Sequence, residues 1–339
     1  MEKLSGYAFV GGTIALALAT LIFVAYLLSG VRSARMATAG VGTTTRVGFF
    51  AGPLAGSLGQ YGNLFTWLGF LALSAGLIFR TIATGHGPFA NQYEFSIAFA
   101  WGIAGAFLWF ERKYHQRGVA LVALPVALGM MLYALLFTPS TIEPLVPALQ
   151  NNLLLTVHVA MAIVAYGSFT IAFATALLYL SQSPVHWGFA VYSLLTIPAV
   201  FIIGWWALIF LVPAPVVIAR GITVGAGRVI GGLRLPRLEM LDEIGYRAIV
   251  VGFPFLTLTI ILGALWADQA WGKYWSWDPK ETASLVTWLF YGAYLHARVM
   301  RGWRGNKAAV VLYSGFFFVI LTYFGNLFFN SLHSYAGLG

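Results

Sequence analysis

Residues Trp266–Thr282 read WADQAWGKYWSWDPKET, and the question is what such a segment does between its neighbours. A long apolar stretch leads into it (AIVVGFPFLTLTIILGAL) and another leads away (ASLVTWLFYGAYL). Yet these 17 residues hold four tryptophans, two lysines, two aspartates and a glutamate. The alternation of long apolar blocks with short polar connections runs through the chain. Of 339 residues 60% are hydrophobic and 9% charged, against roughly 25% charged in a soluble domain, and the mean hydropathy is +0.83. The fold class is therefore an all-α polytopic integral membrane protein. No polar linker interrupts the blocks, so residues 1–339 read as a single membrane domain.

Apolar runs of about 20 residues, enough for one crossing, fall at 7–29, 63–84, 93–110, 118–137, 153–180, 247–267, 281–300 and 308–330, about eight transmembrane helices. The first, Tyr7 to Leu28, is too long and lacks the cleavage site of a signal peptide, so it reads as a retained span. Arg32, Arg35 and Arg46, then Arg112, Lys113 and Arg117, then Arg298, Arg301, Arg304 and Lys307 cluster in connections. Inner loops are rich in Lys and Arg. Placing the three clusters inside puts the tryptophan segment and the carboxyl terminus on the outer face. Residues 188–219 are apolar but broken by Pro198, Gly204, Pro213 and Pro215; a hairpin or re-entrant element there preserves the parity, whereas a single crossing inverts half of it. The net charge of +9 is accounted for by these loops, and no nucleic acid is implied. We find no heptad run or fixed-period repeat, and the dispersed glycines suit close helix packing in membranes.

The chain has no cysteine. That excludes disulfides, thiolate metal sites and thiol relays within it, so any metal must be held by His, Met or carboxylate. His158 falls about one turn inside the outer end of the fifth span, and His333 just past the outer end of the last. Both are level with the tryptophan segment. His296 follows Glu281 by fifteen residues, roughly 22 Å along a helix at about 1.5 Å each, and so lies in the inner half of the bilayer. Two sites at different depths are expected. His115 and His186 fall in inner loops and His86 near the outer surface, where solvated roles suffice. Two neutral imidazoles facing across a flat cofactor would suit a six-coordinate haem iron.

Within the segment, Trp271 and Trp275 share a face if the backbone is helical, and Trp275 and Trp277 if it is extended. With Trp266 and Tyr274 they build an apolar wall, and Gly272 permits close approach. An aromatic belt at the membrane interface is the competing explanation. Asp278-Pro279-Lys280-Glu281 reads as an N-cap, a proline at the first helical position and a capping-box glutamate, so Asp278 is expected to anchor the segment to the next helix.

WGKYWSWDPKET resembles the WWD signature of haem-handling membrane proteins, most closely the CcsA (ResC) family of cytochrome c maturation system II. TVHVAMAIVAYGSF around His158, LDEIGYRAIVVGFPFLTLTIILGALWA, TWLFYGAYLHARV around His296 and LTYFGNLFFNSLHSYAG around His333 look like the same family, and NQYEF at Asn91–Phe95 resembles its NLYES-like segment. The resemblance covers most of 88–182 and 236–337; residues 1–85 match weakly and read as variable N-terminal helices. It implies cytochrome c maturation: haem (haem b, as substrate) moved to the outer face and presented to the Cys-x-x-Cys-His segment of apocytochrome c for thioether attachment, a haem lyase activity. It implies His158 and His333 as outer axial ligands, His296 as an intramembrane ligand, and Trp266, Trp271, Gly272, Tyr274, Trp275, Trp277 and Asp278 as the haem-presenting surface. No protein nucleophile is required. A CcsB (ResB) membrane subunit is the implied partner, with thiol-reducing proteins serving the apocytochrome, in a bacterial plasma membrane or a thylakoid. The alternatives are a system I relative (the longer CcmF or the shorter CcmC) and a transporter or channel with an ordinary aromatic belt.

Overall fold

The computed structural model describes residues 1–39, 53–142, 149, 152–183, 235–325, 332 and 333. Among these are eight long α-helices: α1 Glu2–Ala39, α2 Pro53–Thr84, α3 Gln92–Tyr114, α4 Ala120–Phe137, α5 Asn152–Gln182, α6 Leu238–Trp271, α7 Pro279–Met300 and α8 Asn306–Phe324. They stand at the eight expected spans, and several run beyond them. Seven are long and apolar enough to cross a membrane. The eighth, α7, carries Lys280, Glu281, His296 and Arg298 and is the most polar of the set. The element expected at 188–219, and His186, lie outside the described residues.

Local chemistry sets the helix ends. Asn91 accepts the Glu94 amide and caps α3. Gly272 ends α6 with φ +70, a left-handed setting that glycine adopts without the Cβ penalty. Asp278 starts α7 with the expected capping box and Pro279 behind it. Pro125 and Pro254 lie inside α4 and α6, as membrane helices tolerate.

The most enclosed helix is α5, packed among α3, α6 and α8. Its seam with α6 is made close by glycine: a Cβ on Gly252 would stand 2.5 Å from the Phe169 ring. Gln182, at the end of α5, donates to the Pro236 carbonyl just before α6, so the end of α5 and the start of α6 lie at the same end of the bundle. Between α1 and α2, Phe9, Leu16 and Phe23 sit against Gly76, Gly69 and Gly62. That is a seven-residue spacing held over three positions on both helices, running antiparallel, and it corrects the expectation of no heptad run. The repeat pairs small with large residues rather than apolar with apolar, so a search for apolar heptads passes over it.

The start of α3 is held by a buried ion pair. Arg80 of α2 meets Glu94 at 2.8 Å, each side chain 2% exposed. Arg80 also donates to the Ser140 carbonyl, and Glu94 accepts the Ala90 amide. Breaking one partner of a buried pair strands the other charge. Glu94→Leu should therefore destabilise the protein by about 3–5 kcal/mol, read as a large fall in melting temperature in detergent. Unchanged melting would show the pair to be dispensable.

Candidate functional site

The start of α3, the start of α5, the end of α6, the start of α7 and the end of α8 converge at one end of the bundle. Between them lies a cleft with about 1040 Å3 of empty space, its open mouth included. His158 and His333 both line it, as do Trp266, Trp271, Tyr274 and Trp275. The structure thus brings together the two histidines that sequence depth paired.

His158 projects from the first turns of α5 onto α6. Its Nδ1 lies 2.8 Å from the Thr259 carbonyl oxygen. A carbonyl only accepts, so Nδ1 carries the proton and the lone pair sits on Nε2. Gly263, one turn on from Thr259, makes room for the ring: a Cβ there would stand 2.8 Å from His158 Cε1. Sequence reasoning missed both Thr259 and Gly263. Their only signal was a small and a polar residue on one face of an otherwise bulky apolar helix.

His333 arrives on a turn after α8. Its Nδ1 lies 3.0 Å from Asp278 Oδ1, which selects the same tautomer, with the lone pair on Nε2. Burial of the ring holds its titration below the ordinary histidine range, with the Asp278 hydrogen bond pulling the other way. The contact is therefore a neutral N–H donated to a carboxylate rather than an ion pair. Such carboxylate–histidine pairs fix ring orientation and raise basicity at metal sites. Asp278 accepts as well from the Lys280 amide at 3.0 Å and the Leu332 amide at 2.7 Å. The cap that the sequence revealed is thus also the tie to the turn carrying His333, which nothing in the sequence signals.

The aromatic residues divide. Trp266 is 2% exposed and meets Trp271 edge to face at 4.8 Å; Trp271 in turn stands edge-on to His333 at 5.0 Å. These two back the imidazole. Tyr274 and Trp275 follow in the irregular turn beyond α6, so neither the helical nor the extended register describes the whole segment. Gly272 is required by its positive φ, since a Cβ there would meet no atom of the described residues within 4 Å. Trp277 is 70% exposed and does not line the cleft; its φ is +59, a costly setting for a bulky residue. Glu281 holds it there, accepting the amides on either side, Ser276 at 2.8 Å and Asp278 at 3.2 Å.

His296 is elsewhere. It sits four turns down α7, exposed on the face shared by Val286, Leu289 and Met300. His86 is nearly buried, with Nδ1 against the Gly87 carbonyl. His115 ends α3 in a left-handed setting and is exposed.

Chemically, the cleft offers two imidazole lone pairs beside an aromatic wall. That arrangement suits a flat, metal-centred ring with open axial positions. Among the described residues no three His, Asp or Glu side chains converge as a metal site, so a bare ion would find at most two ligands here.

Residues 89–333 match the family model described as "Cytochrome C assembly protein". The chain is 37% identical over 307 residues to the cytochrome c biogenesis protein CcsA of Microcystis aeruginosa, covering 84% of this chain and 89% of that one. It is 35% identical over 298 residues to that of Pyropia yezoensis (84% and 90%) and 37% over 293 residues to that of Synechocystis (78% and 85%).

Asp278→Ala should remove the cap and the tie together. The cap alone is worth about 1–2 kcal/mol. The expected readings are a lower melting temperature and faster protease cleavage near Leu332. An unchanged cleavage pattern would show that the carboxylate does not hold the turn.

Proposed function

From a chain that belongs to the cytochrome c assembly family, in its CcsA branch, and so functions in cytochrome c biogenesis, we propose that the cleft is where haem b is held for transfer to apocytochrome c. His158 and His333 are its axial ligands through Nε2. Trp266, Trp271, Tyr274 and Trp275 form the wall beside it, and Asp278 and Gly272 set the wall's shape. The observation that carries this reading is that both imidazoles line one cleft, each with Nδ1 engaged by a fixed acceptor. A pair of axial nitrogens without further ligands fits a metal that already has an equatorial macrocycle.

The reaction needs orientation more than a protein nucleophile. Each apocytochrome thiol adds across a haem vinyl group: sulfur bonds to one vinyl carbon and the proton goes to the other, with no leaving group. The cleft holds the vinyl carbon where a thiol can approach it, which replaces a random bimolecular encounter with a positioned one. This chain thus acts as the haem lyase subunit.

His296 serves a second, deeper haem site, completed by a membrane subunit of the CcsB (ResB) type. Support comes from its exposure on α7 amid apolar side chains, and from roughly 22 Å of helix between it and the cleft. The basic connections α3–α4 and α7–α8 lie at the end of the bundle opposite the cleft, and by the positive-inside rule the cleft then faces outward.

The purified protein, co-expressed with its partner and supplied with haem, should show a bis-imidazole absorption spectrum. His158→Ala and His333→Ala should each lose the cleft haem's share of that spectrum, leaving the deeper haem, and abolish holocytochrome formation. Normal maturation in both variants would remove the axial assignment, and the absence of any Soret band in the wild type would remove the haem reading. For His296, haem should be retained at the deeper site only when the partner is present. Equal retention by this chain alone would overturn the shared site.

A further inference from the structure

One corner of the cleft is not used by the axial ligands or the tryptophans. Lys280, at the second position of α7, reaches across to α3 and sets its ammonium 5.3 Å from the centre of the Phe95 ring. The two carboxylates nearest in sequence are engaged elsewhere. Asp278 accepts from the Lys280 and Leu332 amides and from His333, and Glu281 from the Ser276 and Asp278 amides. No ion pair among the described residues includes Lys280.

One turn before Phe95 on α3 is Gln92, which also lines the cleft. The residue is 6% exposed, and its amide Nε2 is buried with no hydrogen-bond partner among the described residues. A buried donor left without an acceptor is costly, so its presence at the wall of a cleft points to an acceptor that the ligand brings. An ammonium and an amide N–H2 on neighbouring faces of one corner provide donors only. The group that satisfies both is an anion with two oxygens, and a carboxylate has that shape.

We propose that Lys280 and Gln92 form a carboxylate-binding corner that takes the propionate edge of the porphyrin. The inference rests on the haem reading above and deepens it. Axial ligation alone leaves the ring able to rotate about the iron–nitrogen axis. A fixed point at one edge removes that freedom. The propionates and the vinyls lie at opposite sides of haem, so anchoring the first against the buried wall of α3 turns the second toward the mouth, where thiols enter. Lys280 and Gln92 are then positioning residues for thioether formation.

The test compares haem with haem dimethyl ester, which has the same ring and iron but no free carboxylates. Both are titrated into the protein purified with its partner, with absorption as the readout. The wild type should prefer haem by about tenfold or more, the scale of one charge-assisted hydrogen bond. Lys280→Ala and Gln92→Leu should lose most of that preference while keeping the bis-imidazole spectrum, and Lys280→Arg should keep it. Equal affinity of the wild type for haem and ester overturns the corner and leaves the haem reading intact, as does a preference that survives in both loss variants. Binding of neither compound overturns the haem reading, and the corner with it.

Discussion

The Asp278 carboxylate is the constraint on which the site depends. One oxygen receives the Lys280 amide in the first turn of α7 and the His333 ring; the other receives the Leu332 amide of the turn beside it. A helix start, a histidine and a segment more than fifty residues further along are thereby fixed to one group. Were the carboxylate merely a cap, a serine or threonine would serve as well. Only an acceptor with two oxygens and a full charge meets three donors at once, and only burial keeps water from competing for it; its side chain is 1% exposed.

His158 has the opposite kind of support. Its hydrogen bond runs to a backbone carbonyl, and its space comes from the absence of a side chain at Gly263. One imidazole is thus oriented by a carboxylate on the turn after α8, the other by a backbone carbonyl and close packing between α5 and α6. The two solutions converge on the same tautomer, which suits ligation of a metal but rests on different physics.

Much of this was legible in the sequence, for reasons that can be named. Hydropathy locates the helices because backbone groups in lipid must be satisfied within the helix. The cap at Asp278 is visible because it is local, spanning four residues. Depth counting pairs His158 with His333 because a helix advances by a constant rise. What could not be read is tertiary. The tie from Asp278 to His333, the Thr259 acceptor and the placement of Trp277 outside the cleft depend on which elements meet. The sevenfold glycine spacing of α2 was present in the letters, but it signifies a seam only when set beside Phe9, Leu16 and Phe23.

That seam has a further consequence. Helices α1 and α2 zip to each other, and neither contributes a residue to the cleft. They pack on α4 and α3, through the Phe9–Tyr93, Phe23–Phe107 and Phe70–Trp101 ring contacts and the Arg80–Glu94 pair among others. Mechanically they are an outrigger: they bear on the cleft end of the bundle from outside it, through the start of α3, where Arg80 grips Glu94 and the Phe9 ring packs on Tyr93.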